Sequence, residues 1–363
     1  MSGATIADVV GVLEERFPSQ WTEPWDAVGL LAGRADAQVT GVLVTLDPTV
    51  DAVERAASAG ANLLVTHHPA YLGPGPRPTE TASPLLPALQ SGVALACAHT
   101  NLDRSPAGAE ALPAVLGLRV LRPLEDGLQP VDVVTVFVPP EAEDAVVDSM
   151  AAAGAGRIGL YGGCAFCGSG IGRYTPLRGS SPSVGTHGRE ERVAESRVEM
   201  VAPRGSGPGV ASAAAAAHPY DEPLIMVQES STARGAARMG RLCATGGRTL
   251  QELVFDVACR LQVAPRALGE PERLVETVAV ANGSAGSLLG AALSSSADAF
   301  LVGELRYHDA LDAVAAGLCV IEVGHDASEW PMVTVLAEAV RATPSLGTTA
   351  VHVDAPGTLY WSP

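Results

Sequence analysis

The sequence predicts an α/β fold in which two βαβ-containing halves form one unit and carry an inserted ferredoxin-like α+β domain. Three observations support this. Residues 41–66 read as strand, helix and strand; the same order returns at 277–325; and residues 130–230 follow a different rhythm of strands and helices. The expected boundaries are 1–127 and 238–363 for the two halves, paired through short connections, and 128–237 for the insert.

Ile6, Val9, Val10, Leu13 and Phe17 fall at helical spacing and Pro18 ends the pattern, so residues 5–17 open the fold as a helix. GVLVTLD at 41–47 is an apolar run of strand length. PTVDAVERAASAG at 48–60 then gives a helix, with Pro48 expected in its first turn and Gly60 as its stop. NLLVT completes the βαβ unit and runs into His67, His68 and Pro69. A proline has no N–H for a sheet ladder, so the two imidazoles leave the sheet at its carboxyl edge, where open α/β sheets place their sites. Side chains alternate across a strand; the two rings therefore meet at one site only if the chain turns there, and otherwise serve two ions. Such a pair on its own is as often structural as ligating. A further strand, GVALACAHT at 92–100, leads into NLD at 101–103 and brings His99 and Asp103 to a second strand end. Imidazole and carboxylate together suit zinc, manganese or iron better than calcium.

In the middle segment, PVDVVTVFVPP at 130–140, SRVEMVAP at 196–203 and PLIMVQES at 223–230 read as strands. Helices over EAEDAVVDSMAAAGA and GVASAAAAAH lie between them, the order of a split βαβ module of about 100 residues. A Gly- and Ser-rich stretch at 154–192 separates its halves and holds Cys164 and Cys167. One CxxC pair without a second cannot complete a four-thiolate zinc site, and incidental thiols are the simpler reading. His218, just before Pro219, reads as a helix-terminal charge partner or a packing residue.

Beyond the insert, RTLQELVFDVACRLQV and YHDALDAVAAG read as helices, and TVAVANGSAG at 277–286, ADAFLVGEL at 297–305 and CVIEVGH at 319–325 as strands with their following turns. NGSAGS precedes the helix SLLGAALSS, whose free amides could take an anion, although a glycine turn there is more often plain connection. GHDASEWPMVTVLAEAV places His325 on the turn and Glu329 in the first helical turn, within reach of each other. Pro331 is expected where amides lack helical partners.

A chain of 363 residues with 47% apolar content can bury a large core. Its net charge of −17 and pI near 4.8 argue against a dedicated nucleic-acid binder. All 23 basic residues are arginine, which excludes lysine Schiff-base chemistry and a P-loop. Six scattered cysteines fit reduced thiols in the cytoplasm. The N-terminus lacks the pattern of a signal peptide, and no apolar run reaches the ~20 residues that span a bilayer, so no membrane association is expected.

TLDPTVDAVERAASAGANLLVTHHP, AHTNLD, GELRYHDA and GHDASE together resemble the NIF-three-like family of dinuclear metal-centre proteins, whose members are called GTP cyclohydrolase type-2 homologues. GLYGGCAF, SVGTHGREERVAESRVEMVAP and AHPYDEP resemble the insert of its longer members, similar to the PII and CutA fold. The resemblance spans nearly the whole chain. It implies that His67, His68, Asp103, His325 and Glu329 hold two divalent metal ions, zinc first, with iron and manganese as alternatives. It also implies a homo-hexamer with these sites facing an internal cavity.

The implied activity is metal-dependent hydrolysis of a nucleotide or related small heterocycle, like a GTP cyclohydrolase or a phosphoesterase, through a water bridging the metals. Five ligands for two ions leave positions open for that water. The alternative is a non-catalytic metal-binding or regulatory hexamer whose insert senses a ligand or partner. His99 is expected behind the ligands as an orienting partner or proton shuttle, with a core histidine as the equal alternative. Ala27 stands where the family shows asparagine, Glu304 replaces the aspartate of its late TGD motif, and Asp326 stands where an aromatic residue is common. RSPAGAEAL at 104–112 reads as a changed loop beside the metals. These departures bear on the pocket and leave the ligands in place. Replacing Glu329 is expected to matter far more than replacing its neighbour Ser328.

Overall fold

The computed structural model describes residues 3–23, 25–72, 83–159, 161–233 and 235–355. The chain divides into two compact units, Met1–Asp126 with Ala236–Pro363, and Gly127–Gly235.

The first unit opens with α1 (Ile6–Arg16), whose start is closed by a capping box: the Thr5 hydroxyl accepts from the Asp8 N–H, and the Asp8 carboxylate accepts from the Thr5 N–H. Then come β1 (Gly29–Ala32), β2 (Val42–Thr45), α2 (Val50–Ser58), β3 (Leu63–Thr66), α3 (Leu85–Ser91) and β4 (Ala94–Cys97). Thr49 caps α2 by accepting from the Ala52 N–H, so Pro48 lies before the cap and outside the first turn expected for it. The single-turn helix α4 (Thr100–Arg104) leads into α5 (Pro106–Val115) and β5 (Arg119–Pro123). RSPAGAEAL is therefore helical and not a loop. The Ser105 hydroxyl accepts from the Gly108 N–H, Pro106 sits in the first turn, and a Cβ at Gly108 would stand 2.0 Å from the Leu102 carbonyl oxygen.

The second unit runs β6 (Leu128–Val138), α6 (Glu143–Ala152), β7 (Phe166–Tyr174), β8 (Glu191–Pro203), α7 (Gly207–Ala217) and β9 (Ile225–Ala233). Its sheet has the order β7-β8-β6-β9, antiparallel throughout. Val134, Val136, Val138, Val198 and Met200 bury one face against Val146 and Met150 of α6 and Val210 and Ala214 of α7. β7 was hidden in the Gly- and Ser-rich stretch because Gly168, Gly170 and Gly172 erase any apolar alternation; its pairing with β8 makes it a strand.

The chain returns through β10 (Arg241–Thr249), α8 (Leu250–Leu261), β11 (Arg266–Leu268), β12 (Leu274–Val280), α9 (Leu289–Ser294), β13 (Ala299–Val302), α10 (Tyr307–Ala315), β14 (Cys319–Glu322), α11 (His325–Arg341) and β15 (Val351–Val353). Two sheets result, β1-β4-β3-β2-β15 and β11-β14-β13-β12-β10-β5. The halves exchange elements: β5 joins the sheet of the second half, and β15 joins that of the first. Met332, Val333, Leu336 and Val340 of α11 pack with Val42, Val44, Leu63 and Val65 of the first sheet. Burying those side chains contributes roughly 1.5–3 kcal/mol each. Pro331 lies well inside α11, beyond the turn expected for it, and leaves the Ala327 carbonyl without its helical donor. Among the described residues no helix is long and apolar enough to cross a membrane.

Candidate metal centre

The first unit brings three strand ends and one helix start to a single cleft. After Thr66 the chain bends: the Thr66 hydroxyl donates to the His68 carbonyl at 2.7 Å, and the His68 N–H donates to the Leu46 carbonyl at 2.9 Å. That bend resolves the alternation problem. The rings of His67 and His68 turn to the same site, with centroids 5.0 Å apart. His99 ends the segment after β4, and one turn of α4 returns the chain so that Asp103 faces the same place. His325 is the first residue of α11, and Glu329 follows one turn later.

Glu329 Oε2 lies 2.9 Å from His68 Nε2 and 3.1 Å from His325 Nε2. His67 Nε2 is 3.7 Å from Asp103 Oδ1 and 3.8 Å from Glu329 Oε1. The five side chains of the sequence analysis thus share one cluster. His99 is grouped with them: its donor atom, with those of His67 and His68, falls within a 4.8 Å set. Two further such sets are His68, His325 and Glu329, and His67, Asp103 and Glu329. His67 Nε2 and Asp103 Oδ1 are buried without a hydrogen-bond partner. Buried polar atoms of that kind are costly unless something satisfies them, and a divalent cation suits this donor set.

What aims the rings is a layer of acceptors behind them. His67 Nδ1 lies 3.1 Å from the Ala98 carbonyl oxygen, His68 Nδ1 2.7 Å from Asp47 Oδ1, His99 Nδ1 2.9 Å from Asp26 Oδ1, and His325 Nδ1 3.0 Å from Glu304 Oε1. Each contact places a proton on Nδ1 and turns Nε2 to the cleft, where it becomes a ligand atom once the ring is neutral. Sequence reasoning missed Asp26 and Asp47. The signal for Asp47 was the aspartate closing the strand GVLVTLD; that for Asp26 stood beside Ala27 in WDAVGLL. Glu304, noted only as a departure, orients His325.

Burial opposes ionisation of Asp26, but the His99 ring and the Thr100 hydroxyl and N–H outweigh it and hold the carboxyl at about 2. Burial likewise works against a charged His68, yet Asp47 and Glu329 raise it to about 10. Hydrogen bonding to Glu329 lifts His325 to about 9 against partial burial. Glu329 falls well below its ordinary value: burial pushes it up, and the three imidazoles around it prevail. Burial raises Asp103. Arg104, next in sequence, turns away and is neutralised by Glu125 at 2.8 Å and by Glu23.

The NGSAGS turn has a different task from the anion cradle considered for it. The Gly283 N–H donates to Ser328 Oγ at 2.9 Å, and that hydroxyl donates to the His325 carbonyl at 2.7 Å. A Cβ at Gly283 would stand 2.1 Å from Glu329 Oε1, and one at Gly303 would stand 2.6 Å from Ser328 Oγ. Ser328 is fully buried. It clasps the start of α11, a structural part that the sequence did not suggest for it and that leaves its expected lesser weight beside Glu329 in place. His68, His99, Asp103, His325 and Glu329 open on a cavity of about 670 Å³, whose other walls include Trp25, Leu72, Met239, Asn282 and Leu288, while His67 lies fully buried behind it.

Fold and site together define a mixed α/β protein of several sheets with histidine and carboxylate side chains that could bind a metal. The chain belongs to the Duf34/NIF3 (NGG1p interacting factor 3) family, whose sequence model matches residues 4–355. It is 35% identical over 358 residues to the GTP cyclohydrolase 1 type 2 homolog of Mycobacterium tuberculosis, covering 93% of this chain and 91% of that protein. The Bacillus subtilis protein of the same name is 32% identical over 337 residues, covering 88% of each. The crystal structure of a Bacillus cereus protein related to NIF3 superposes with a TM-score of 0.64 at 27% identity, covering 99% of this chain and 98% of that one.

Proposed function

We propose that this protein is a dinuclear metal-dependent hydrolase acting on a nucleotide or a related small heterocycle. The observation that carries the reading is the convergence of four tethered imidazoles with Asp103 and Glu329 in one cluster, all of them but the fully buried His67 lining one cavity. His68, His325 and Glu329 would hold one ion, and His67, Asp103 and Glu329 the other. Glu329 turns Oε2 to His68 and His325 and Oε1 to His67, the disposition of a bridging carboxylate. Bound there, two divalent cations, zinc first and iron or manganese otherwise, would lower the pKa of water and polarise a carbonyl, an imidazole carbon or a phosphoryl oxygen.

The remaining groups would serve the substrate. His99, on its Asp26 tether, would either complete a ligand set or move a proton at Nε2. Trp25, Leu72 and Leu288 would pack against the face of the heterocyclic ring and exclude water. The name borne by the relatives supports purine nucleotide ring opening as the first reaction to assay. We read the second unit as an independently folding ferredoxin-like insert, supported by its βαββαβ order and its sheet order, and the assembly as a homo-hexamer.

Metal analysis of the purified protein, followed by a screen of nucleotide and phosphoester substrates with the reconstituted metal, tests the proposal. Two equivalents of divalent metal and turnover lost in Glu329→Gln are the expected results. Full-rate hydrolysis by metal-stripped protein would refute the mechanism; metal bound without turnover on any substrate would favour the regulatory alternative.

A further inference from the structure

The AHPYDEP motif of the second unit plays no part in the metal chemistry, yet it builds a second cavity. His218 ends α7 with its ring buried; Nε2 donates to the Phe137 carbonyl at 2.8 Å, and Nδ1 accepts from the Tyr220 N–H at 3.0 Å. Both ring nitrogens are thus engaged in holding the backbone at Tyr220. The Tyr220 ring stands 5.0 Å from that of His218 and 6.4 Å from that of Tyr174. Together the two tyrosines wall a cavity of about 500 Å³ that also takes in Phe137, Leu177, Glu195 and Glu222.

The loop over this cavity is fastened at several points. The Tyr174 hydroxyl donates to the Val184 carbonyl at 2.7 Å, the Ser181 N–H to Asp221 Oδ2 at 2.8 Å, and the Gly188 N–H to the Pro176 carbonyl at 2.8 Å. Glu195 reaches the floor because Gly172 lacks a side chain: a Cβ there would stand 2.1 Å from Glu195 Oε2. Its charge acts on the Tyr220 hydroxyl, which burial first and Glu195 next push up to about 12, so the phenol stays protonated. Arg173 is the one cation among the described residues of the lining, and it is already bound to Glu190 at 2.9 Å.

We propose that this cavity binds a small organic cation, an alkylammonium or alkylguanidinium, with Glu195 as counter-ion and Tyr174 and Tyr220 as aromatic walls. Aromatic faces within about 6 Å of a cation attract it through the ring quadrupole, and a carboxylate lining the same cavity supplies the charge-assisted hydrogen bond. Methylene groups of such a ligand would lie along Leu177 and Phe137. A bare metal ion is disfavoured: among the described residues no set of three metal donors occurs here. The net charge of −17 favours approach of a cation over that of an anion.

Calorimetric titration of the full chain with agmatine and putrescine, with 1-butanol and succinate as neutral and anionic controls, tests this. Saturable binding of the cations at one site per chain is expected, with Glu195→Gln weakening it about ten- to hundredfold. Gly172→Ala should weaken it as well by displacing Glu195. Both variants should keep the wild-type circular-dichroism spectrum and thermal melting profile, which report that the second unit as well as the first is folded. Absence of saturable binding by either cation, binding unchanged in Glu195→Gln, or equal binding of 1-butanol or succinate would overturn the assignment.

Discussion

Gly283→Ala probes the proposed metal centre without replacing any of its proposed ligands. The added Cβ would stand 2.1 Å from Glu329 Oε1 and 3.1 Å from Glu329 Cδ, at a backbone φ of 57°. Restoring ordinary contact requires the carboxylate, or the turn, to shift by about 1 Å or more. The left-handed backbone adds roughly 1–2 kcal/mol of strain once a side chain is present. If Glu329 bridges as proposed, a shift of that size should cost metal affinity about as much as losing an orienting partner, ~10- to 100-fold. That corresponds to about 1.4–2.7 kcal/mol.

Competition for zinc against a chromophoric chelator measures the affinity, and thermal melting in excess chelator measures the backbone strain separately. The control is Gly290→Ala. Gly290 lies in α9 with nothing within 4 Å of its added Cβ, so alanine there should be neutral or stabilising by ~0.5–1 kcal/mol. Unchanged zinc affinity in folded Gly283→Ala would refute the placement of Glu329 as a ligand held against this turn.

Further outcomes follow from the groups behind the ligands. Asp47→Asn should lower zinc affinity ~10- to 100-fold while leaving the metal-free melting temperature within a few degrees, because it removes the orienting charge on His68 and little packing; equal loss in an unrelated surface Asp→Asn variant would discount it. Ser328→Ala should reduce both stability and zinc affinity, since the Gly283 N–H would be left buried without an acceptor, a cost of about 1–3 kcal/mol; a wild-type denaturation midpoint would count against the clasp. pH separates the two states of the centre. With His68 raised to about 10 and His325 to about 9 in the metal-free protein, the stability those charged rings supply is complete below about 6.5, their ordinary value. It fades as pH rises through 9 and 10. Zinc needs the neutral rings, so the melting-temperature gap between loaded and metal-free protein should widen from pH 6 to pH 8.5; a narrowing gap would contradict the assignment. Arg104→Met should destabilise the fold by roughly 3–5 kcal/mol, read by denaturant titration, because Glu125 and Glu23 lose a nearly buried partner.

Much of the candidate centre is legible in the sequence because its proposed ligands sit where chain chemistry changes abruptly. His67 and His68 follow a buried apolar strand and precede a proline, and His325 and Glu329 sit four residues apart at a helix start. The buried β2, β3, β13 and β14 announce themselves as apolar runs. Short-range rules suffice there, since strand length, turn residues and helical spacing are local properties. What sequence leaves open is set by contacts between distant residues. β5 and β15 cross into the opposite half's sheet, β7 is a strand only through its pairing with β8, and the direction of each imidazole depends on acceptors such as Asp26, 73 residues from His99. Gly283 carries no mark in the sequence to distinguish a connecting turn from a surface moulded to Glu329, 46 residues later; only packing of α11 against the β12–α9 turn supplies that distinction. The residue types of the centre are thus written in the chain, while their aim is decided by the tertiary structure, because orientation is a relation between side chains that the fold alone makes neighbours.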